Sequence, residues 1–112
     1  MDALMKLDRL IDLFRAMDQN LPTQVVSVFL AVARSKEPLE TRRLPDLTGM
    51  TQSSVNRALI YLQDTHWGDR KKPGLKLIIQ KVHPLDARMR EASLTPKGRK
   101  LAAQIEEIIN DG

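Results

Sequence analysis

LPDLTGMTQSSVNRALIYL, residues 44–62, decides the fold. Pro45 is tolerated in the first turn of a helix, where an N–H is unsatisfied in any case. A short helix is therefore expected to begin near Leu44 and end near Thr48, with Leu44 and Leu47 facing inward. Gly49 suits its C-terminus. Thr51 can then cap a second helix reaching Asp64, with Val55, Leu59 and Leu62 as its apolar stripe. Two short helices joined by Gly-Met-Thr outline a helix-turn-helix. The second helix opens oddly. Thr51, Gln52, Ser53, Ser54 and Asn56 carry side chains that compete for backbone groups and favour caps over helix interiors. Either they form a solvent-facing first turn whose Ser and Thr merely cap, or their polar atoms are there to touch something.

Working outward, an amphipathic helix is expected over Asp2–Asp18, with Leu4, Leu7, Leu10, Ile11, Phe14 and Met17 along it. Asn20–Leu21–Pro22 interrupts it, and Pro22 or Thr23 opens a second helix that is apolar nearly all round from Val25 to Ala33 and so reads as the buried centre of the domain. Ser35–Pro38 reads as a turn. Downstream of the helix-turn-helix, HWGDRKKPG (66–74) is a loop, and LKLIIQKVH (75–83) is rich in β-formers. PLDA (84–87) contains a turn and RMREASL (88–94) can pair back as a hairpin. Thr95 at an N-cap and Pro96 at the first helical position start a last helix, with Leu101, Ile105, Ile108 and Ile109 along one side.

The 112 residues are enough for one domain with one core. Hydrophobic residues at 42% and charged residues at 29% describe an ordinary globular chain. The absence of cysteine excludes disulfides and thiolate metal sites, and two histidines show no metal-ligand spacing. MDALMKLDRL does not read as a signal peptide, and the longest apolar block, VVSVFLAVA (25–33), is about half a membrane span. A cytoplasmic location is expected. Net charge is +4, but its distribution is uneven. Residues 34–100 hold fifteen Lys and Arg against seven Asp and Glu, while both ends are slightly acidic. This segregation favours a polyanion partner, although a well-solvated surface would give the same count.

The order helix, helix, helix-turn-helix, hairpin, helix resembles the winged helix-turn-helix of MarR-type transcriptional regulators. Leu44 and Gly49 fall at the core and turn positions of that family, and Ser54, Val55 and Arg57 match its Ser/Thr, aliphatic and Arg. Asp86–Ala87–Arg88 matches the Asp-x-Arg of its wing, and SLTPKG (93–98) its Leu-Thr-x-x-Gly. Pro45 departs from the pattern, and the loop GDRKKPGL is several residues longer than the family norm. The expected fold is mainly α with a small β-hairpin wing. It divides into terminal helices at 1–20 and 95–112, a helix-turn-helix at 40–64 and a wing at 75–94. The resemblance implies that the terminal helices form a homodimer, and Leu4, Leu7, Ile11, Phe14, Leu101, Ile105 and Ile108 are the expected interface. It also implies that these helices roof any effector pocket; no lining for one is identifiable and no cofactor is expected.

A recognition helix enters the major groove by its N-terminal end. Gln52, Ser53 and Asn56 are the base-reading candidates, flanked by Thr51 and Ser54. Arg57 can reach guanine or phosphate, and the resemblance favours phosphate and structural support. Arg88, beside the hairpin turn, is placed to enter a narrow minor groove. Asp86 either holds Arg88 in place or simply forms the turn. Arg70, Lys71 and Lys72 form the densest basic run; with Arg42, Arg43, Lys81 and Arg90 they are candidate phosphate contacts. Trp67 and Tyr61 are read as core packing beneath the wing, and His66 and His83 are given no role.

These residues point to a double-stranded DNA-binding regulator, dimeric on an inverted repeat and repressing by promoter occupancy. The alternative is a winged-helix module that binds another protein. An enzyme finds no support, because no nucleophile–base pair, phosphate-binding glycine loop or paired carboxylates can be recognised.

Overall fold

Three of the five described α-helices begin at a side-chain cap. In the computed structural model, which describes residues 2–111, Asp2 caps α1 (Ala3–Met17) by accepting the Met5 N–H at 2.8 Å. After Pro22, α2 (Thr23–Arg34) starts without a side-chain cap. A 3-10 turn over Thr41–Arg43 leads into α3 (Leu44–Thr48), with Pro45 in its first turn. Gly49 closes α3 at φ +70°, a left-handed conformation that glycine adopts without steric cost. Thr51 then caps α4 (Gln52–Gln63) and Thr95 caps α5 (Pro96–Asn110). Each accepts an N–H three residues on, from Ser54 at 3.1 Å and from Gly98 at 3.0 Å.

A three-stranded antiparallel sheet, β1 (Leu39–Glu40), β2 (Ile78–His83) and β3 (Asp86–Leu94), has the order β1–β3–β2. The β2–β3 hairpin turns tightly at Pro84–Leu85, so β3 begins within the expected turn. β1 was not expected: two residues are too few to show an alternating pattern, and only pairing of Leu39 with Ala92 defines them. The segment Leu75–Leu77 belongs to the core and not to the hairpin. Its N–H groups reach back to α4, Leu75 to the Tyr61 carbonyl at 2.9 Å and Leu77 to the Leu62 carbonyl at 2.8 Å.

The core lies between α2 and α4, closed by Leu44, Ala92, Ile78 and Leu101. Two inward expectations fail. Leu47 is 52% exposed, because α3 is little more than one turn long and Leu44 alone fills its contact with α2. Leu30 is exposed as well, since α2 buries only the face carrying Val25, Val28, Phe29 and Val32. α1 has no fully buried residue; Leu13, Phe14 and Met17 pack on the core while Leu4, at 78% exposure, Leu7 and Ile11 face outward. α1 and α5 touch along their length, with the Lys6 ammonium donating to the Ile109 carbonyl at 2.8 Å.

Gly98 is the tightest backbone approach in this frame. A Cβ there would fall on the Leu77 carbonyl oxygen, whose neighbouring backbone cannot swing away. Gly98→Ala is expected to destabilise the fold by about 1–3 kcal/mol, the usual cost of overpacking. Leu47→Ala is expected to stay within about 0.5 kcal/mol of the parent, as surface changes do. Urea unfolding of both variants tests the contrast.

Candidate nucleic-acid interface

The face of α4 opposite the core carries the polar residues singled out by sequence. Val55, Ala58, Leu59 and Leu62 are buried, which leaves Gln52, Ser53, Asn56 and Arg57 exposed. These exposed residues do not all have equal freedom. Thr51 Oγ1 accepts the Ser54 N–H and also lies 3.1 Å from Ser54 Oγ. Thr51 and Ser54 thus do what capping requires, and contact with a partner must share those oxygens. Gln52 donates from Nε2 to Asn56 Oδ1 at 2.9 Å, an i, i+4 pair on one face. The pair holds both amides outward and leaves Gln52 Oε1 as an acceptor and Asn56 Nδ2 as a donor. An adenine edge in the major groove offers the complement, an N6–H donor and an N7 acceptor. Ser53 makes no side-chain hydrogen bond among the described residues.

On the wing, Asp86 has both of the roles weighed for it. Its Oδ1 accepts the Arg88 backbone N–H at 3.0 Å, shaping the turn, and lies 3.3 Å from Arg88 Nε. The backbone bond first, and the guanidinium second, hold the Asp86 carboxyl below the usual carboxylate range. The Arg88 side chain remains 91% exposed, aimed but uncovered. Pro84 and the Leu85 N–H, which donates to His83 Nδ1 at 3.0 Å, fix the other side of the turn.

Other basic residues separate. The run Arg70–Lys72 is split by its loop: Arg70 lines a cleft with Arg57 and Trp67, whereas Lys72 lines another with Asp18, Tyr61 and Lys97. Lys71 donates its backbone N–H to Asp69 at 2.9 Å and keeps its ammonium exposed. Lys81 stands opposite Glu91 and Arg90 opposite Val82, so strand alternation puts the two cations on opposite faces of the wing. They do not make one basic strip. Arg42 is ion-paired with Glu40 at 3.0 Å, and Arg43 lines a shallow cleft with Arg34 and Leu47. Among the expected interface residues, Leu101 is 4% exposed and accounted for by its own core, with Phe14 and Ile105 packed against that core and Ile108 half-buried. Leu4, Leu7 and Ile11 remain as an uncovered stripe.

Trp67 is half-buried and packs against the core, as expected, and it also carries the Arg57 guanidinium 4.4 Å from its ring centre. Such a cation–π contact stabilises by about 0.5–2 kcal/mol. Ile60, 51% exposed next to this pair, was missed, although its spacing of four from Asn56 places it on the same face.

No family model and no curated protein matches the chain. Solved structures do. The DNA complex of MepR from S. aureus superposes with a TM-score of 0.66 at 22% identity, covering 96% of this chain and 75% of that one. RV1404 from Mycobacterium tuberculosis gives 0.67 at 24% identity, covering 96% and 69%. A MarR-family transcriptional regulator from Silicibacter pomeroyi gives 0.60 at 20% identity, covering 96% and 66%. The chain shares the fold of these structures. It spans roughly two thirds to three quarters of their length. Here α3 and α4 form the helix-turn-helix and β2–β3 the hairpin wing; no described helix is long and apolar enough to cross a membrane.

A polar junction that the sequence did not reveal ties α1 to α4. Asp18, at the end of α1, accepts the Tyr61 hydroxyl of α4 and lies 2.9 Å from His66 Nε2. His66 Nδ1 in turn accepts the backbone N–H groups of Gly68 at 3.1 Å and Asp69 at 3.2 Å, which leaves Nε2 to donate. Tyr61 itself is core, as expected. Burial, with the Asp18 carboxylate second, pushes its phenol far above the ordinary range, so the hydroxyl stays a donor. The same bond is the first cause, and the Asn20 N–H the second, that holds Asp18 below the usual carboxylate range. A cleft of about 550 Å³ opens beside this junction.

Because its folded pKa is lowered, Asp18 contributes its full stabilisation above about pH 4 and loses it as the pH falls through the lowered value. Tyr61→Phe is expected to cost about 1.5–3 kcal/mol at pH 7, the range for a hydrogen bond to a charged group. The deficit should shrink at pH 3, below the ordinary carboxylate value, because the unfolded chain then protonates Asp18 and the charged bond contributes less. Urea unfolding at both pH values measures it; an equal deficit at both would show that the carboxylate charge is not the partner.

Proposed function

We propose that this chain is a sequence-specific, double-stranded DNA-binding transcriptional regulator, dimeric and repressing by occupancy of an inverted-repeat site. One observation carries the reading: α4 presents Gln52, Ser53 and Asn56 on an uncovered polar face, with two amides already locked in register. Nothing in the core requires these side chains, and their donor–acceptor pattern complements a base edge. The wing adds an exposed Arg88 whose direction is set by Asp86. MepR, which shares the fold, is found in complex with DNA. No catalytic group is involved in this mechanism; the protein acts by being in the way.

The dimer rests on Leu4, Leu7 and Ile11, which recur on one side of α1 and remain uncovered by their own chain. A two-fold dimer would set two α4 helices about 34 Å apart, one turn of DNA.

Selection of bound duplexes from a random pool tests the function, with enrichment of an inverted repeat expected. Asn56→Ala and Gln52→Ala should each relax preference at particular base pairs by about 1–3 kcal/mol; a uniform loss over all sequences would make them backbone contacts. Arg88→Ala should weaken sites with A·T-rich flanks more than sites with G·C-rich flanks, since a narrow minor groove is what attracts the cation. Leu7→Glu should yield monomers in sedimentation and reduce the selected site to a single half.

A further inference from the structure

The uncovered face of α4 does not stop at Asn56. Arg57 and Ile60 continue it, and the loop after the helix curls back beside them. Trp67 lies under the Arg57 guanidinium and Arg70 comes alongside; with Ile60, Thr65 and His66 they line an open cleft of about 310 Å³. No carboxylate lines that cleft. Among the described residues, neither Arg57 nor Arg70 is ion-paired, in contrast to Arg42 and Arg88.

The loop that brings Arg70 there is tightly braced. The His66 N–H donates to the Lys72 carbonyl at 3.0 Å, the Lys72 N–H to the Asp69 carbonyl at 3.0 Å, and the Gly74 N–H to the Asp64 carbonyl at 2.8 Å. Trp67 fixes the plane of one guanidinium while leaving its N–H edges open. Two forked donors converging on an acid-free cleft match a phosphate group, whose oxygens accept bidentate pairs. A guanidinium stacked on a ring has less rotamer freedom to lose on engagement.

We propose that Arg57 and Arg70 together grip one backbone phosphate of the duplex, beyond the groove entered by the start of α4, with Trp67 as the positioning residue. The inference rests on the DNA-binding reading above. It assigns the long loop a function: to widen the footprint on the sugar–phosphate backbone without adding base preference.

Trp67 is the only tryptophan of the chain, so its emission reports on the cleft directly. The full chain is titrated with a labelled duplex across a salt series, following label anisotropy for binding and tryptophan emission for the cleft. Emission is expected to change with duplex and not with inorganic phosphate at matched ionic strength; a response to inorganic phosphate alone would overturn the assignment to DNA. Arg57→Ala and Arg70→Ala together are expected to reduce the slope of log affinity against log salt by about 0.9, one phosphate's worth, and affinity by about five-fold at 0.15 M relative to 1 M, and Arg70→Ala alone by a measurable part of that. The loss should be equal on selected and scrambled duplexes. Trp67→Ala should reduce affinity and slope in the same way, and Trp67→Phe should restore most of both. If the duplex binds but Arg70→Ala leaves slope and affinity unchanged, the clamp is wrong while the DNA reading stands. If no duplex binds at any salt, both fall.

Discussion

The rest of the structure depends on the packing of α4 against α2. Val55, Ala58, Leu59 and Leu62 are at most 2% exposed, so one side of α4 is fixed by a continuous apolar contact with Val25, Val28 and Phe29. A helix held that firmly on one face has no rotational freedom left on the other. The direction in which Asn56 and Arg57 point is therefore a consequence of core packing, not of their own contacts. On the proposed reading this separates stability from recognition along a single helix. The core side tolerates little change in volume, whereas the outer side can vary its chemistry without disturbing the fold.

The wing and α5 are tied to α4 through backbone groups as well as through burial of Ile78, Ala92 and Leu101. Leu75 and Leu77 hand their N–H groups to α4, and the Leu77 carbonyl receives the Thr95 N–H at 3.0 Å, while Thr95 Oγ1 donates to the Lys76 carbonyl at 2.8 Å. Lys76 is left-handed at φ 57°, which turns its carbonyl toward that threonine. Gly98 has no side chain because this junction has no room for one. One short segment thus sets the position of the hairpin relative to the helix, and with it the separation of Arg88 from Asn56. The Leu-Thr-x-x-Gly pattern of the sequence acquires a physical meaning here: threonine caps and bonds across, and glycine permits the crossing.

Helix boundaries were legible because their signals are local. Asp2, Thr51 and Thr95 each cap the helix they precede, and Pro45 and Gly49 bracket α3 from within the sequence. The candidate face of α4 was legible for the same reason, since a period of 3.6 residues sorts its two sides. What escaped depends on residues far apart in the chain. Asp18 meets Tyr61 across 43 positions and His66 across 48, and Leu39 becomes a strand only when Ala92 is beside it. Leu47 misled because an apolar residue in a five-residue helix cannot show which face it occupies. The contact of Trp67 with Arg57 escaped because an aromatic ring in a loop carries no periodicity, and its partner is a cation that reads as solvated.

Charge counting alone also overstated the basic surface. Several cations of the central segment are occupied by the fold itself. Arg42 faces Glu40, Lys97 donates to the Leu75 carbonyl at 2.8 Å, and Arg99 to the Leu94 carbonyl at 3.1 Å. Lys81 stands across from Glu91, which with Glu40 flanks His83 on the outer face of the sheet. Two glutamates directly opposite on β1 and β3 would repel, and Arg42, paired with Glu40, offsets that repulsion. Once these are set aside, the uncommitted cations near α4 reduce to a few, chiefly Arg57 and Arg70 at one end of its outer face. Arg88, aimed but uncovered, projects from the wing. A field concentrated at a few fixed points discriminates by geometry, because a partner must place its negative groups at matching separations to collect all of it. A uniformly basic surface could not do this. The acidic residues of the central segment therefore sharpen the surface more than they weaken it: by neutralising cations elsewhere, they leave the remaining positive charge where the polar face of α4 can use it.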